Sequence, residues 1–416
     1  MDPLRIWFDP PHVRWRRVVV TVLVATVLVG LWVAQRRGVF EGAPAAAVAV
    51  KVAPAGGLDV AAVAPATSGS TQLAAAPAPA RAASSAEIVC GFGVVSFDPE
   101  DEKQIDALSE ELHAKLEALR VERLPIWLAQ MKASPDEEVQ AVAWFAQAIE
   151  TWRTKVLPAV EEQGKPWAKI DVPNDGLDEL ARLAQRSGDP QVYGLAMHAC
   201  GFLVDFSPRT ACAALSFEEW ARRDPDNGYP WLLASNYQAK GSARRAQLIE
   251  RAMSTKELRT GWGYAYEPLS RALAPGASAQ ERSAIFAQAV TLTGINLMPP
   301  VSVIDHCSDD ELRKDGRRTQ CEYFATHLSE HSDSFMLSSF GGAIGRQLGW
   351  SKDRLDSLRQ KHEAIQVAAG KQHEAQGCDG LSKIEDYLAY QSKHGELAAA
   401  RRVFNSERHD TTTAKR

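Results

Sequence analysis

Six cysteines offer the chain two kinds of chemistry: Cys90, Cys200, Cys212, Cys307, Cys321 and Cys378. An even set in an oxidising compartment points to disulfides, whose pairing sequence alone leaves open. Cys200 and Cys212 flank the loop GFLVDFSPRTA between two expected helices, so a bond there staples a helical hairpin. Cys307 and Cys321 stand in the same way around the start of a helix, and by elimination Cys90 meets Cys378, tying the two ends of the domain together. In a reducing cytosol the same residues serve as buried small apolar groups.

The second chemistry is metal binding. Cys307, Cys321, His327 and His331 run in the order Cys, Cys, His, His, with His306 beside the first, and the last two histidines share one face of a helix. The short cysteine pair of a zinc module is missing, and HLSEH lacks the glutamate position of H-E-x-x-H. The plainer reading of this set is a surface helix carrying two histidines. Aromatic residues cluster between Trp220 and Tyr266. Of these, Trp231, Tyr237 and Trp262 are the candidates to line a groove for a partner, although large aromatics more often fill core volume. No G-x-S-x-G elbow or phosphate-binding loop is present. Gly341, Gly342 and Gly345 sit inside a helical pattern with no strand before them, which suits close helix packing better than a dinucleotide. Acidic residues are plentiful, but none stands alone in apolar sequence. No catalytic residue and no cofactor is singled out.

The elements that position these residues begin with an apolar segment. VVVTVLVATVLVGLWVA, residues 18–34, carries no charge and spans roughly 25 Å as a helix, near the lower limit for crossing a bilayer. Arg16, Arg17, Arg36 and Arg37 fence it, and Trp15 and Trp32 lie near its ends. A single-pass signal-anchor is expected, with the lipid bilayer as its partner. Arg5 and Arg14 add to the charge in front, so residues 1–17 are placed in the cytoplasm and the remainder outside the inner membrane, in the periplasm. Residues 35–86 are rich in alanine, yet Pro44, Pro54, Pro65, Pro77, Pro79 and Gly56-Gly57 interrupt any helix, which predicts a disordered tether.

Residues 87–400 read as an all-α domain of paired helices, followed by a disordered tail over 401–416. Ile105, Leu108, Leu112, Leu116 and Leu119 form one apolar stripe on a charged helix expected over 100–124, with Asp98 as its cap. Further helices are expected at about 136–149, 176–187, 191–200, 211–223, 230–240, 243–253, 279–292, 309–330, 334–348, 352–369 and 381–395. Strand patterning is nearly absent, apart from a weak segment over Val89–Phe97.

The stretch FEEWARRDPDNGYPWLLASNYQAKGSARRAQLIERAM, Phe217 to Met253, resembles a tetratricopeptide repeat. Asp224-Pro225-Asp226-Asn227 looks like the turn that closes one repeat. Trp231 and Tyr237 stand near its aromatic positions, and Ala246 and Ala252 resemble its small packing residues. The likeness covers about a tenth of the chain, departs from the pattern at Ser235, and has no clean 34-residue echo elsewhere. It implies a helical-repeat architecture and a protein partner. The formal net charge of -5 argues against nucleic acid. The expected function is a membrane-anchored, non-catalytic interaction or scaffold protein of the cell envelope. The alternative is an envelope enzyme acting on glycan or peptide.

Overall fold

The computed structural model describes residues 85–97, 101–156, 158–159, 162, 173–204, 206, 210–261, 263–295, 300–371 and 377–413. Among them the chain is predominantly α-helical. The expected membrane helix over 18–34, the tether up to residue 84 and Trp262 lie outside the described residues. The tether's last two expected residues, Ser85 and Ala86, are instead paired in a strand. Within those residues no helix is long and apolar enough to cross a membrane.

The described chain opens with an antiparallel hairpin, β1 (Ser85–Val89) and β2 (Gly93–Phe97), where the sequence showed only a weak strand. Next comes α1 (Glu102–Lys132), whose cap is Asp101 rather than Asp98: its carboxylate accepts from the backbone N–H of Lys103 and Gln104. The helix also runs past its expected end, through Pro125. The apolar stripe explains why, since Trp127, Leu128 and Met131 are all buried beyond the point where it should stop. Each such burial is worth roughly 1.5–3 kcal/mol, and together they outweigh the cost of one interior proline.

Paired helices follow. α2 (Glu137–Thr151) and α3 (Asp175–Arg186) pack together, and α4 (Pro190–Val204) lies across both, buried almost all round. α5 (Phe217–Arg223), α6 (Tyr229–Asn236) and α7 (Ala243–Met253) continue the series. The expected 211–223 helix is broken at Leu215, because Ser216 caps α5 by accepting from the Glu219 N–H. Two short helices that no periodicity announced, α8 (Tyr266–Ser270) and α10 (Val301–His306), bracket α9 (Ala279–Ile295).

The expected 309–330 helix begins only at Arg317, after Gly316 turns the chain at φ 72°. That helix, α11 (Arg317–His331), makes its most extensive contact with α12 (Phe335–Gln347). The glycine run expected to permit tight packing does so here: a methyl on Gly341 would lie 2.5 Å from the Ser329 nitrogen and 2.8 Å from the Ala325 carbonyl oxygen. These are backbone atoms that cannot swing aside.

α13 (Lys352–Lys371), α14 (Gly377–His394) and α15 (Glu396–Thr413) complete the chain. The last of them corrects the tail expected from residue 401, which is helical to Thr413 and packs on α13 and α14. Late elements also return to early ones: α9 packs on α1, and α14 on α8 and β1. Three disulfides fasten the whole: Cys90–Cys378, Cys200–Cys212 and Cys307–Cys321. No cysteine is free.

Candidate functional site: a polar cavity at His198 and Asp333

α4 is so apolar that its one histidine stands out once the helix is seen to be buried. His198 is 2% exposed. Its ring meets Trp220 of α5 edge-on at 5.4 Å and lies 5.8 Å from Tyr229 of α6. Its Nε2 is 3.2 Å from the Thr260 carbonyl oxygen. A carbonyl only accepts, so Nε2 carries the proton and Nδ1 is a bare acceptor. Burial pushes the ring down to about 4, against the pull of that carbonyl, so the imidazole is neutral at physiological pH.

Thr260 is itself held by Asp333, in the turn between α11 and α12. The Thr260 backbone N–H donates to Asp333 Oδ2 at 2.7 Å and its hydroxyl donates to the same oxygen at 3.0 Å. Part of Asp333 reaches solvent, but its carboxylate is turned inward. Burial pushes it up to about 6, opposed by the donors from Thr260 and Gly261. The Asp333 carbonyl accepts from the Leu397 N–H at 3.0 Å, and Gly395, at φ 84°, lets the chain pass against Asp333 Cβ. One aspartate thus joins the 258–261 loop to the start of α15.

Beside it, the Glu396 carboxylate accepts from the Phe335 N–H at 2.9 Å. Burial raises its carboxyl to about 8, and Asp333 adds to the rise. A carboxyl held this way stabilises the fold while protonated. The contribution is complete below the ordinary value of 4.5 and is lost as pH rises through about 8. Urea unfolding midpoints should therefore fall between pH 6.5 and 9, by an amount worth about 2 kcal/mol. Glu396→Gln, which keeps an acceptor for Phe335, should flatten that arm. A wild-type profile already flat over this range would refute the assignment.

His198, Thr260 and Asp333 line a cavity of about 160 Å³, with Glu396 one residue beyond its edge at Gly395. Its walls come from α4, Trp220, the 224–227 turn, residues 259–261, Tyr264, Asp333 and the C-terminal end of α14. Asn227 organises the turn: its side chain accepts from the N–H groups of Tyr229 and Arg259 and donates to Asp224 and the Arg259 carbonyl. Asp224 in turn pairs with Arg259 at 2.8 Å. Tyr264 is 7% exposed, and its hydroxyl has no hydrogen-bond partner among the described residues, as is also true of His198 Nδ1.

Of these residues the sequence marks only Trp220 and Tyr264, as members of the aromatic cluster, and Asp224 and Asn227, as part of the repeat-like turn; His198, Thr260 and Asp333 were not singled out. His198 left the one usable sign, as the only residue of Val192–Val204 able to take a positive charge. The residues that sequence did favour lie elsewhere. Trp231 is half-buried with the Arg251 guanidinium 5.0 Å over its ring. Tyr237 is 48% exposed and packs on Phe206 and Phe217 at 5.6 and 5.5 Å. Six residues apart on and just beyond one helix, the two point in different directions.

The three expected cysteine pairs are the three disulfides found. The sulfurs of Cys307 and Cys321 are therefore committed to each other and do not act as thiolate ligands. His327 stacks on Tyr323 at 5.4 Å and lies 5.3 Å from His331. His306 contacts Arg317 and Gln320. Among the described residues no group of three or more His, Cys, Asp or Glu is placed to hold a metal ion.

Compared with family models, curated proteins and solved structures, the chain matches none.

Proposed function

We propose that this chain is a single-pass membrane-anchored protein whose helical domain lies outside the inner membrane and works by binding a protein partner. The observation that carries the reading is the use of all six cysteines in three disulfides, one of them joining residues 288 apart. Disulfides persist in exported domains and are rare where glutathione keeps thiols reduced. The charge-free span at 18–34, with more arginine before it than after, supplies an anchor and the matching orientation. The repeat-like stretch around α6 and α7 favours an interaction role, with Trp231 and Tyr237 as candidate contacts.

The second reading is an envelope enzyme acting on glycan or peptide, and a specific observation favours it. His198, Asp333 and Glu396 have shifted proton affinities close to one cavity, as catalytic groups often do. Against it, the carboxylates of Asp333 and Glu396 are occupied by backbone and threonine donors of the fold itself.

Thiol labelling of intact cells with a reagent that cannot cross the inner membrane tests the compartment. The expected result is labelling only after prior reduction. Thiols that react without reduction, and only after lysis, would place the domain in the cytosol and remove the basis of the proposal.

A further inference from the structure

We infer that the pocket between the start of α7 and the segment closed by Cys307–Cys321 is a binding site for a doubly charged oxyanion, either free phosphate or the terminal phosphate of a monoester. This goes beyond a protein-binding role and does not depend on where the domain resides.

The pocket is built from opposite sides. Lys240 and Arg245 come from the start of α7, where Ser242 caps the helix by accepting from the Arg245 N–H. Asp305 and His306 end α10, Glu311 and Lys314 lie between Cys307 and Cys321, and Arg317 opens α11. The Cys307–Cys321 bond holds this second side together. Direct contacts link the pieces. The Arg245 guanidinium, on a residue 7% exposed, donates through Nη2 to the Ser302 carbonyl and to Asp305, both at 3.0 Å. Arg317 meets the His306 ring and lies 3.8 Å from Glu311, which Lys314 also reaches at 2.7 Å.

Charge decides the ligand. Lys240, Arg245, Lys314 and Arg317 line the pocket with four positive charges, against two negative ones on Asp305 and Glu311. Burial and the neighbouring Arg317 push His306 down to about 4, so its ring adds none. Lys240 is exposed and pairs with no carboxylate among the described residues. Of the Arg245 nitrogens, Nη2 is bonded and Nε is sealed from solvent. Nη1 is neither bonded among the described residues nor sealed, which leaves it to the pocket that its residue lines. Two positive charges thus remain for a ligand, the complement of a phosphate dianion, and the N-terminal end of α7 adds its positive dipole. At about 30 Å³ the pocket takes on the order of two or three water-sized groups, room for phosphate oxygens and not for the body of an organic molecule. An ester therefore enters phosphate first.

The test uses the full-length oxidised chain in phosphatidylcholine nanodiscs, at an ionic strength held constant with sodium chloride so that unspecific attraction stays screened. Inorganic phosphate is titrated by phosphorus NMR line broadening, and sulfate, glycerol 3-phosphate and acetate compete against it. Phosphate should bind and sulfate should displace it, with acetate weaker by about tenfold or more. The double variant Lys240→Gln with Lys314→Gln should weaken phosphate by about tenfold, while Lys383→Gln on α14 leaves it unchanged. Both pocket lysines are exposed, so the double variant should keep the wild-type Tm without phosphate, which separates lost binding from lost folding. Glycerol 3-phosphate competing as well as phosphate itself assigns the site to a phosphate ester, and weaker competition assigns it to the free anion. The inference is overturned if phosphate does not bind up to about 20 mM, if acetate competes as well as sulfate, or if the double variant binds phosphate as tightly as wild type.

Discussion

Replacing Cys90 and Cys378 together with serine should destabilise the protein by about 5–6 kcal/mol, against about 3 kcal/mol for either Cys200–Cys212 or Cys307–Cys321. The difference is one of loop length. The first bond closes a separation of 288 residues, the other two separations of 12 and 14. A cross-link acts chiefly on the unfolded chain, and the freedom it removes grows with the logarithm of the loop. It also joins the β1–β2 turn to the first turn of α14, whose packing on β1 is otherwise a small contact. Urea unfolding of the three double variants under non-reducing conditions, followed by tryptophan fluorescence, would rank them. A Cys90/Cys378 variant no less stable than the short-loop variants would contradict the argument.

Asp333→Ala should cost about 3 kcal/mol, the largest effect expected from a single side chain here. It strips the acceptor from the Thr260 N–H, the Thr260 hydroxyl and the Gly261 N–H at once, in a place where no replacement is at hand. The loss should spread to both sides of the junction, since Thr260 also carries the carbonyl that fixes the His198 tautomer. Asp333→Asn retains one acceptor oxygen and should fall between wild type and alanine. Denaturant unfolding at pH 7 measures the loss, and a cost below about 1 kcal/mol for the alanine variant would show that Asp333 does not hold the junction.

The features readable in advance were those written into local spacing. The stripe from Leu108 to Leu119 places α1, and Ala243–Met253 is helical over its expected bounds, because a 3.6-residue period needs no knowledge of the partner surface. The cysteine pairs were legible because two of them bracket single loops and leave the third no choice. α8 and α10 were not, being five and six residues long, too short for a period to show. The helical tail was missed because RRVFNSERHD carries few apolar residues. Its start is anchored by Glu396 on Phe335 and Leu397 on Asp333, contacts that sequence spacing cannot announce.

The cavity was hidden for a related reason. Its residues come from position 190 to position 395, and each alone looks ordinary. Asp333 lies in a polar run, HSDS, that reads as a surface turn. Only tertiary packing turns its carboxylate inward and buries His198 and Tyr264. Trp231 and Tyr237, by contrast, attracted notice by residue type alone.

The bond between Cys90 and Cys378 has a mechanical consequence. A pull applied between the chain before residue 90 and the α15 end passes through two sulfur atoms into α14, so the residues between them form a slack loop that bears no tension. Such a load would therefore stretch only β1, α14, α15 and a covalent bond. The cavity walls contributed by α4, residues 259–261 and Tyr264 would keep their shape under a load that would unravel the same chain once reduced.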